Sequence, residues 1–285
     1  MLTLSMIIFG SIGIFRRYIP LPSAVLACFR GAAGSLFLLV VAKIRGRNLI
    51  NHIGGKKILW LAVTGAVIGL NWILLFEAYN YTSVATATLC YYMQPTIVIL
   101  LSPFFFHEKL TVKKGICILL SLIGMVFVSG IVEGDLPDPG EAKGIVFGLG
   151  AALLYATVVM MNKALPGIDA YEKTIIQLLS AAVVLIPYLL FSGQSVAGSW
   201  TPVVIIMLLI VGIVHTGIAY ALYFGSIDGL KTQTVAIFSY LDPIVALVLS
   251  ALILHERMTV FGIFGALLII GAALISEIEG KAERE

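Results

Sequence analysis

The sequence reads Tyr-Met-Gln-Pro at residues 92–95 and His-Glu-Lys-Leu-Thr-Val at residues 107–112. Almost the same stretch recurs as Tyr-Leu-Asp-Pro at 240–243 and His-Glu-Arg-Met-Thr-Val at 255–260. Each second copy lies 148 positions after the first, since 95 becomes 243 and 107 becomes 255. Apolar composition produces chance matches of Leu and Ile, but it does not place Pro, His-Glu and Thr-Val in one register. The chain therefore contains an internal duplication, which is the first constraint on its fold.

The register extends beyond these two stretches. Gly69 matches Gly217 at the offset of 148, and further along the chain Gly124 matches Gly271 at an offset of 147. The duplication therefore covers several apolar segments in each half, and each half is expected to fold in the same way.

The composition indicates an integral membrane protein. Of 285 residues, 60% are hydrophobic and only 12% are charged, whereas soluble domains carry about 25% charged residues. The mean hydropathy is +1.07. A net charge of +3 is small and predicts no nucleic-acid partner. The three cysteines fall in apolar runs without metal-ligand spacing, so we expect small buried side chains and no metal or cofactor.

The apolar segments predict an all-α integral membrane protein with ten transmembrane helices. A helix needs about 20 residues to cross the hydrocarbon core, and backbone amides cannot stay unpaired in lipid. The alternating pattern of a membrane barrel is not seen. The predicted spans are Leu2–Tyr18, Ser23–Val41, Ile58–Tyr79, Val84–Phe106, Val112–Ile131, Gly144–Leu165, Tyr171–Phe191, Pro202–Ile227, Thr232–Leu254 and Val260–Glu277.

The acidic segment 133–141 separates two sets of five spans. We predict a first five-helix repeat at residues 1–132, a second at 142–277 and a short tail at 278–285. Because five is an odd number, the second repeat must lie inverted in the membrane relative to the first. Inverted repeats are the architecture of secondary transporters, whose substrate site lies near the midplane between the halves.

The placement of basic residues predicts the orientation. With a cytoplasmic N terminus, thirteen of the 18 Lys and Arg residues lie on the cytoplasmic side, four lie opposite, and Arg30 lies inside a span. By the positive-inside rule both termini are cytoplasmic. Arg16 and Arg17 oppose this trend.

These features resemble a known family. Ten spans in two repeats, Cys-Phe-Arg at 28–30 in span two, and Pro followed by His-Glu-(Lys/Arg)-x-Thr in each half are similar to the EamA-like family of the drug/metabolite transporter superfamily. The resemblance covers the whole chain, although residues 9–11 read Phe-Gly-Ser where the family usually has Trp-Gly. It implies a carrier of the bacterial inner (plasma) membrane, often an exporter of amino acids and related metabolites.

Asp242 is the sharpest candidate for the substrate site. Ionisable side chains inside spans are costly, so each is a functional hypothesis. Asp242 lies near the middle of span nine, and Pro243 removes a backbone hydrogen bond and leaves a carbonyl free. The repeat places Gln94 and Pro95 at the same positions of span four. The alternative is a structural Asp paired with Arg30.

Arg30 is expected at a comparable depth. The helix rise places Arg30 about 12 Å and Asp242 about 18 Å from the outer face, which agrees within the boundary error. An arginine binds a carboxylate with two parallel hydrogen bonds. The alternative is an arginine that packs against Asp242 or reaches toward the interface. Its repeat partner, Gln177, is polar but uncharged.

Aromatic and polar side chains of neighbouring spans are expected to line the same cavity, although each is individually as well explained by packing. The substrate-binding candidates are Arg30, Asn71, Trp72, Tyr91, Gln94, Tyr155, Gln177, His215, Tyr220, Tyr240 and Asp242, with helix kinks at Pro95 and Pro243.

The repeated motif at the span ends has a structural interpretation, with gating as the alternative. The threonines of the motif are good N-caps for the following helix, and the glutamates are expected to pair with amides or basic groups. These motif residues are His107 and Glu108 before Thr111, and His255 and Glu256 before Thr259.

The sequence therefore predicts a secondary transporter and not an enzyme. It is expected to export an amino acid or a similar amphipathic metabolite by alternating access, driven by proton exchange or by the gradient of the solute itself. No phosphate-binding loop for ATP is present. The rivals are a carrier of sugar phosphates or nucleotides, which requires more cavity cations than Arg30, and a membrane-embedded enzyme or a receptor. Monomer and dimer both remain open.

Overall fold

A computed structural model describes residues 1–46, 53–107, 110–129, 132, 138–165, 167–191, 200–227 and 238–282, and these residues contain no β-strand. A π-helical segment, Ile210–Ile218, joins α9 and α10 into one span. The α-helices are α1 (Leu2–Arg17), α2 (Ser23–Ile44), α3 (Gly55–Tyr81), α4 (Val84–Tyr91), α5 (Gln94–Phe106), α6 (Val112–Val128), α7 (Pro139–Lys163), α8 (Ala170–Phe191), α9 (Pro202–Leu209), α10 (Ala219–Ile227), α11 (Leu241–Ile253) and α12 (Val260–Ala282).

The predicted all-α membrane fold is confirmed. In the described residues, six apolar helical segments of 22 to 27 residues are long enough to cross a membrane, and α1, α6, α11 and α12 supply shorter apolar stretches. Together these segments account for all or part of each predicted span. The first residues of predicted span nine, 232–237, lie outside the described residues.

Two boundaries differ from the prediction for a local reason. Helix α7 begins at Pro139 rather than Gly144, because the Asp138 side chain accepts a hydrogen bond from the backbone N–H of Glu141 and caps the helix. Proline suits a first helical turn, where its missing N–H has no helical partner to lose. Span four is not one helix but two, α4 and α5, separated at residues 92–93.

The helices of the two halves pair reciprocally. Helices α2 and α8, and likewise α6 and α12, pack together and occupy equivalent places in the two repeats. Helix α1 packs against α11, and its counterpart α7 packs against α4 and α5. Helix α3 packs against α7 and α8, while the π segment packs against α1 and α2. Exchanging the halves reproduces this pattern, as expected of two repeats with the same fold.

Glycines set the closest approaches. A Cβ on Gly124 of α6 would lie 2.7 Å from the carbonyl oxygen of Gly265, and a Cβ on Gly265 would lie 2.5 Å from that of Gly124. Small residues allow membrane helices to pack at such short range. Gly10 likewise leaves no room for a Cβ against the backbone oxygen of Asp242, so α1 lies directly on the first turn of α11.

Candidate substrate-binding site

Two repeat-related spans are interrupted near the middle of the bundle. Helix α4 ends at Tyr91 and α5 begins at Gln94, with Pro95 in its first turn. Helix α11 likewise carries Asp242 and Pro243 in its first turn. A proline nitrogen has no hydrogen to donate, so each proline leaves a carbonyl of the preceding turn without its helical partner. Interrupted helices of this kind surround the binding sites of secondary transporters.

A cavity of about 650 Å³ lies between these two interruptions. Its volume falls within the range of about 300–1,000 Å³ that is common for small-ligand sites. The structure brings nine of the eleven predicted candidates to its wall: Arg30, Trp72, Tyr91, Gln94, Tyr155, Gln177, Tyr220, Tyr240 and Asp242.

The other two candidates lie outside the lining and join helices. Asn71 is fully buried and donates a hydrogen bond from its side-chain nitrogen to the carbonyl oxygen of Ala151, 2.6 Å away, which links α3 to α7. The Nε2 atom of His215 lies 2.9 Å from the hydroxyl oxygen of Ser11 in α1, and its ring packs edge-on against Phe15. Both side chains therefore contact neighbouring helices and are not part of the cavity wall.

Arg30 is buried without an acidic partner. Its Nε donates a hydrogen bond to the Thr216 hydroxyl over 2.8 Å, and its guanidinium carbon lies 4.3 Å from the centre of the Trp72 ring. Among the described residues, the one ion pair within 4 Å joins Arg17 to Glu256. The terminal nitrogens of Arg30 also have no hydrogen-bond acceptor in the described part of the chain. A cation over an aromatic ring is stabilised, but its hydrogen-bonding capacity is not satisfied.

Asp242 lines the same cavity and interacts with a residue that the sequence analysis did not select. Its carboxylate lies close enough to Tyr92 and Arg30 for both to act on it electrostatically, and Tyr92 lines the cavity beside it. Tyr79 and Tyr223 also line the cavity. Helical periodicity offered a signal for both, since Tyr79 follows the candidate Trp72 by seven residues and Tyr223 follows Tyr220 by three.

The two histidines of the repeated motif terminate α5 and α11. His107 and His255 both have a φ angle of 54°, in the left-handed region that ends helices and that side chains other than glycine seldom adopt. The predicted N-caps are confirmed: the Thr111 hydroxyl accepts from the backbone N–H of Lys114, and the Thr259 hydroxyl accepts from that of Gly262. Glu108 lies outside the described residues.

Glu256 joins helices of both halves at one end of the bundle, which we call the Glu256 end. Its Oε2 accepts hydrogen bonds from the backbone N–H groups of Val84 (2.9 Å) and Ala85 (3.4 Å), and also from the hydroxyl of Ser250. Its Oε1 pairs with Arg17 at 3.0 Å. A carboxylate is favourable at a helix N-terminus because the unpaired N–H groups of the first turn point toward it. The amides belong to α4, so Glu256 ties the second half of the chain to the first.

The two arginines that oppose the charge bias have structural partners at this end. Arg17 also donates to the carbonyl oxygen of Thr82, and Arg16 donates to the carbonyl oxygen of Ile19 and the hydroxyl of Ser23. Their position is therefore explained by contacts within the bundle.

Comparison with known proteins decides the family. The profile of the EamA-like transporter family matches residues 1–130 and again residues 142–277. The chain belongs to the EamA-like transporter family. This EamA-like transporter is 31% identical over 285 residues to the "uncharacterized transporter YxxF" of Bacillus subtilis (strain 168), a match that covers 99% of this chain and 90% of that protein. The resemblance inferred from the sequence is confirmed, and the protein is a multi-pass membrane transporter.

Two further matches are more distant in sequence. The transporter is 25% identical over 205 residues to "Protein RarD" of Escherichia coli (strain K12), covering 71% of this chain and 66% of that protein. A solved crystal structure that is 17% identical superimposes with a TM-score of 0.65, over 99% of this chain and 96% of its own. At that identity the crystal structure supports the fold alone.

Proposed function

We propose that this EamA-like transporter carries a small zwitterionic metabolite, such as an amino acid, between Arg30 and Asp242. The observation that carries the proposal is that a buried arginine and a half-buried carboxylate line one cavity without forming an ion pair with each other. Buried charges are costly unless they are paired. A ligand that offers a carboxylate to Arg30 and an ammonium group to Asp242 satisfies both.

The rest of the cavity suits an amphipathic solute. The rings of Tyr91 and Tyr155 lie 5.5 Å apart on one wall, and those of Tyr220 and Phe9 lie 5.1 Å apart on another. Aromatic walls with a few polar tips are typical of sites that bind a small ligand through its apolar part and orient it by hydrogen bonds.

The same arrangement favours alternating access. The contacts of Glu256 join the two halves of the chain at one end of the bundle. At the other end, the lining of the cavity continues to the half-buried Asn162, near the C-terminus of α7, and Thr174, near the N-terminus of α8. With the orientation given by the positive-inside rule, the Glu256 end faces outward and both termini are cytoplasmic. For a protein of the plasma membrane, the cavity then opens toward the cytoplasm. Loading from that side supports export, driven by protons or by the solute gradient, with the repeats 1–132 and 142–277 as the rocking units.

A carrier of sugar phosphates or nucleotides fits less well. Several phosphate charges require several cations in the cavity. Among the described residues that line it, Arg30 is the one cationic side chain.

A ligand screen followed by titration calorimetry tests the proposal. Amino acids, sugars, nucleobases and polyamines are screened by thermal shift, because a ligand of the folded protein raises its melting temperature. Arg30→Ala and Asp242→Ala are each expected to abolish zwitterion binding, and Arg30→Lys to keep part of it, since lysine retains the charge but loses the planar fork.

The matched control is Thr64→Val, which removes a fully buried hydroxyl that does not line the cavity. It is expected to leave binding unchanged. A neutral sugar or nucleobase that binds wild type and Arg30→Ala equally well would contradict the proposal.

A further inference from the structure

We infer that Thr216 is the residue that positions Arg30 for a carboxylate, and that one extra residue in span eight brings it there. The inference rests on the proposed function, because it specifies how the cationic half of that site is built.

The direction of each hydrogen bond at Thr216 is fixed. Its hydroxyl donates to the carbonyl oxygen of Val211 over 3.1 Å, and the Nε of Arg30 donates to it over 2.8 Å. A hydroxyl has one hydrogen, and that hydrogen is committed to Val211, so the oxygen is left to accept from Arg30. With Nε held and the guanidinium stacked on Trp72, the two terminal nitrogens remain as a planar fork, which matches the two oxygens of a carboxylate.

The side chain of Thr216 is itself locked in place. Thr216 is fully buried, and its methyl group occupies the space where Gly34 of α2 has no Cβ. Gly34 follows Arg30 by four residues, so the two lie on the same face of α2. Helix α2 therefore supplies both Arg30 and, at Gly34, the space that the methyl group of Thr216 fills.

The internal repeat shows how Thr216 reaches this position. Gly65 and Gly69 of α3 pack tightly against α8, and Gly212 and Gly217 of span eight pack in the same way against α2. Three residues separate the first pair and four separate the second. The extra residue falls within the π-helical segment Ile210–Ile218. A single π-helical turn absorbs one inserted residue in an α-helix, and such turns occur frequently at functional sites.

The repeat-equivalent contact, between α3 and α8, has neither feature. Gln177 is the repeat partner of Arg30 at offset 147, and Ile68 is the partner of Thr216 at offset 148. Ile68 cannot accept a hydrogen bond, and the side-chain nitrogen of Gln177 donates instead to Asn162 over 2.7 Å. The inserted residue and the hydroxyl therefore occur together in the span that packs against the helix of Arg30.

Hydrogen exchange at the Arg30 Nε–H tests the positioning without a ligand. The full-length protein is labelled with ¹⁵N-arginine, and Arg30→Lys identifies the signal by its loss. Wild type, Thr216→Ser and the control Thr64→Val are expected to exchange slowly. Thr216→Val keeps the shape but loses the acceptor, and exchange should be at least about tenfold faster, as for loss of a hydrogen bond to a charged group. Equal protection in Thr216→Val would overturn the inference.

A binding experiment links the positioning to the ligand. L-leucine and isoamylamine, which lacks the carboxylate, are titrated into each variant. Thr216→Val should weaken L-leucine binding about tenfold or more and leave isoamylamine unchanged, and Thr216→Ser should restore the affinity. Equal weakening of both ligands indicates a packing role and overturns the inference. If Arg30→Ala keeps its affinity for L-leucine, the proposed function fails. If Arg30→Ala loses this affinity while Thr216→Val keeps it, the inference about Thr216 is overturned and the proposed function stands.

Discussion

At the scale of single residues, the proposed binding site breaks the symmetry of the repeat. Asp242 stands where the first half has Gln94, and Arg30 stands where the second half has Gln177. Each half thus contributes one charged and one neutral polar group to the same cavity. A ligand with one carboxylate and one ammonium group is asymmetric in the same sense, which gives the substitutions a reason that a purely structural role lacks.

Asp242 is the group through which protons would be coupled to transport. Arg30 and the tyrosines 91, 92, 155 and 220 face it within the cavity. Asp242→Asn keeps the size of the side chain but cannot exchange a proton. Transport by this variant in proteoliposomes is therefore expected to be independent of pH, with folding unchanged. The control Tyr92→Phe removes a hydroxyl that lines the cavity beside Asp242 but keeps the carboxylate, and should retain pH dependence. Unchanged pH dependence in Asp242→Asn would leave Asp242 as a binding or packing group.

Both charged candidates of the sequence analysis line the cavity, whereas two of the other candidates do not. Arg30 and Asp242 could be identified because an ionisable side chain in a span is rare and costly. Asn71 and His215 look equally promising on sequence but bond to neighbouring helices, because the face of a helix that meets the cavity depends on packing. Tyr92 was not selected, although it begins the repeated motif itself.

At the scale of secondary structure, single proline and threonine residues predicted the helix interruptions and the N-caps. No single residue predicted the π-helical segment. A proline acts on its own helix, and an N-cap acts on the next three residues, so both are local. The extra residue in span eight shows in the sequence only as a change of offset from 147 at Arg30 to 148 at Gly69. The extra residue could lie in a loop as well as in a helix. The spacing of Gly212 and Gly217, compared with that of Gly65 and Gly69, is what locates it within the span.

The contact between Glu256 and the N-terminus of α4 is expected to hold the Glu256 end closed. Glu256→Gln removes the negative charge that faces Arg17 and two backbone N–H groups. Hydrogen bonds to charged groups contribute about 1.5–3 kcal/mol, so the variant should open this end roughly tenfold more often. The measurement is the rate at which an impermeant maleimide labels a cysteine placed at Thr88, which lines the cavity.

The control for this experiment lies at the same end of the bundle. Glu77 is half-buried and bonds to Asn80 within its own helix, so Glu77→Gln removes a similar charge without touching α4. Its labelling rate should equal that of the parent protein. Equal rates for Glu256→Gln and the parent would mean that other contacts close this end.

At the scale of the whole molecule, the repeat and the hydropathy predicted the architecture but not the conformational state. Counting spans requires only the length of apolar segments, and inversion follows from an odd count. Which end of the cavity is closed depends on a small difference in free energy between two packings of the same helices. The sequence carries the motif of Glu256 at both ends, so it does not indicate which end is fastened.

The distribution of basic residues predicts that the Glu256 end of the bundle faces outward. Tyr18 lies exposed at the Glu256 end, and Ala170 lies exposed at the start of α8 on the opposite side. In a variant without the three native cysteines, an impermeant maleimide should label Tyr18→Cys on intact cells. It should label Ala170→Cys only after the membrane is made permeable, because the basic residues hold that side in the cytoplasm. The reverse pattern would place the Glu256 end in the cytoplasm, and the cavity would then address the outside and support uptake instead of export.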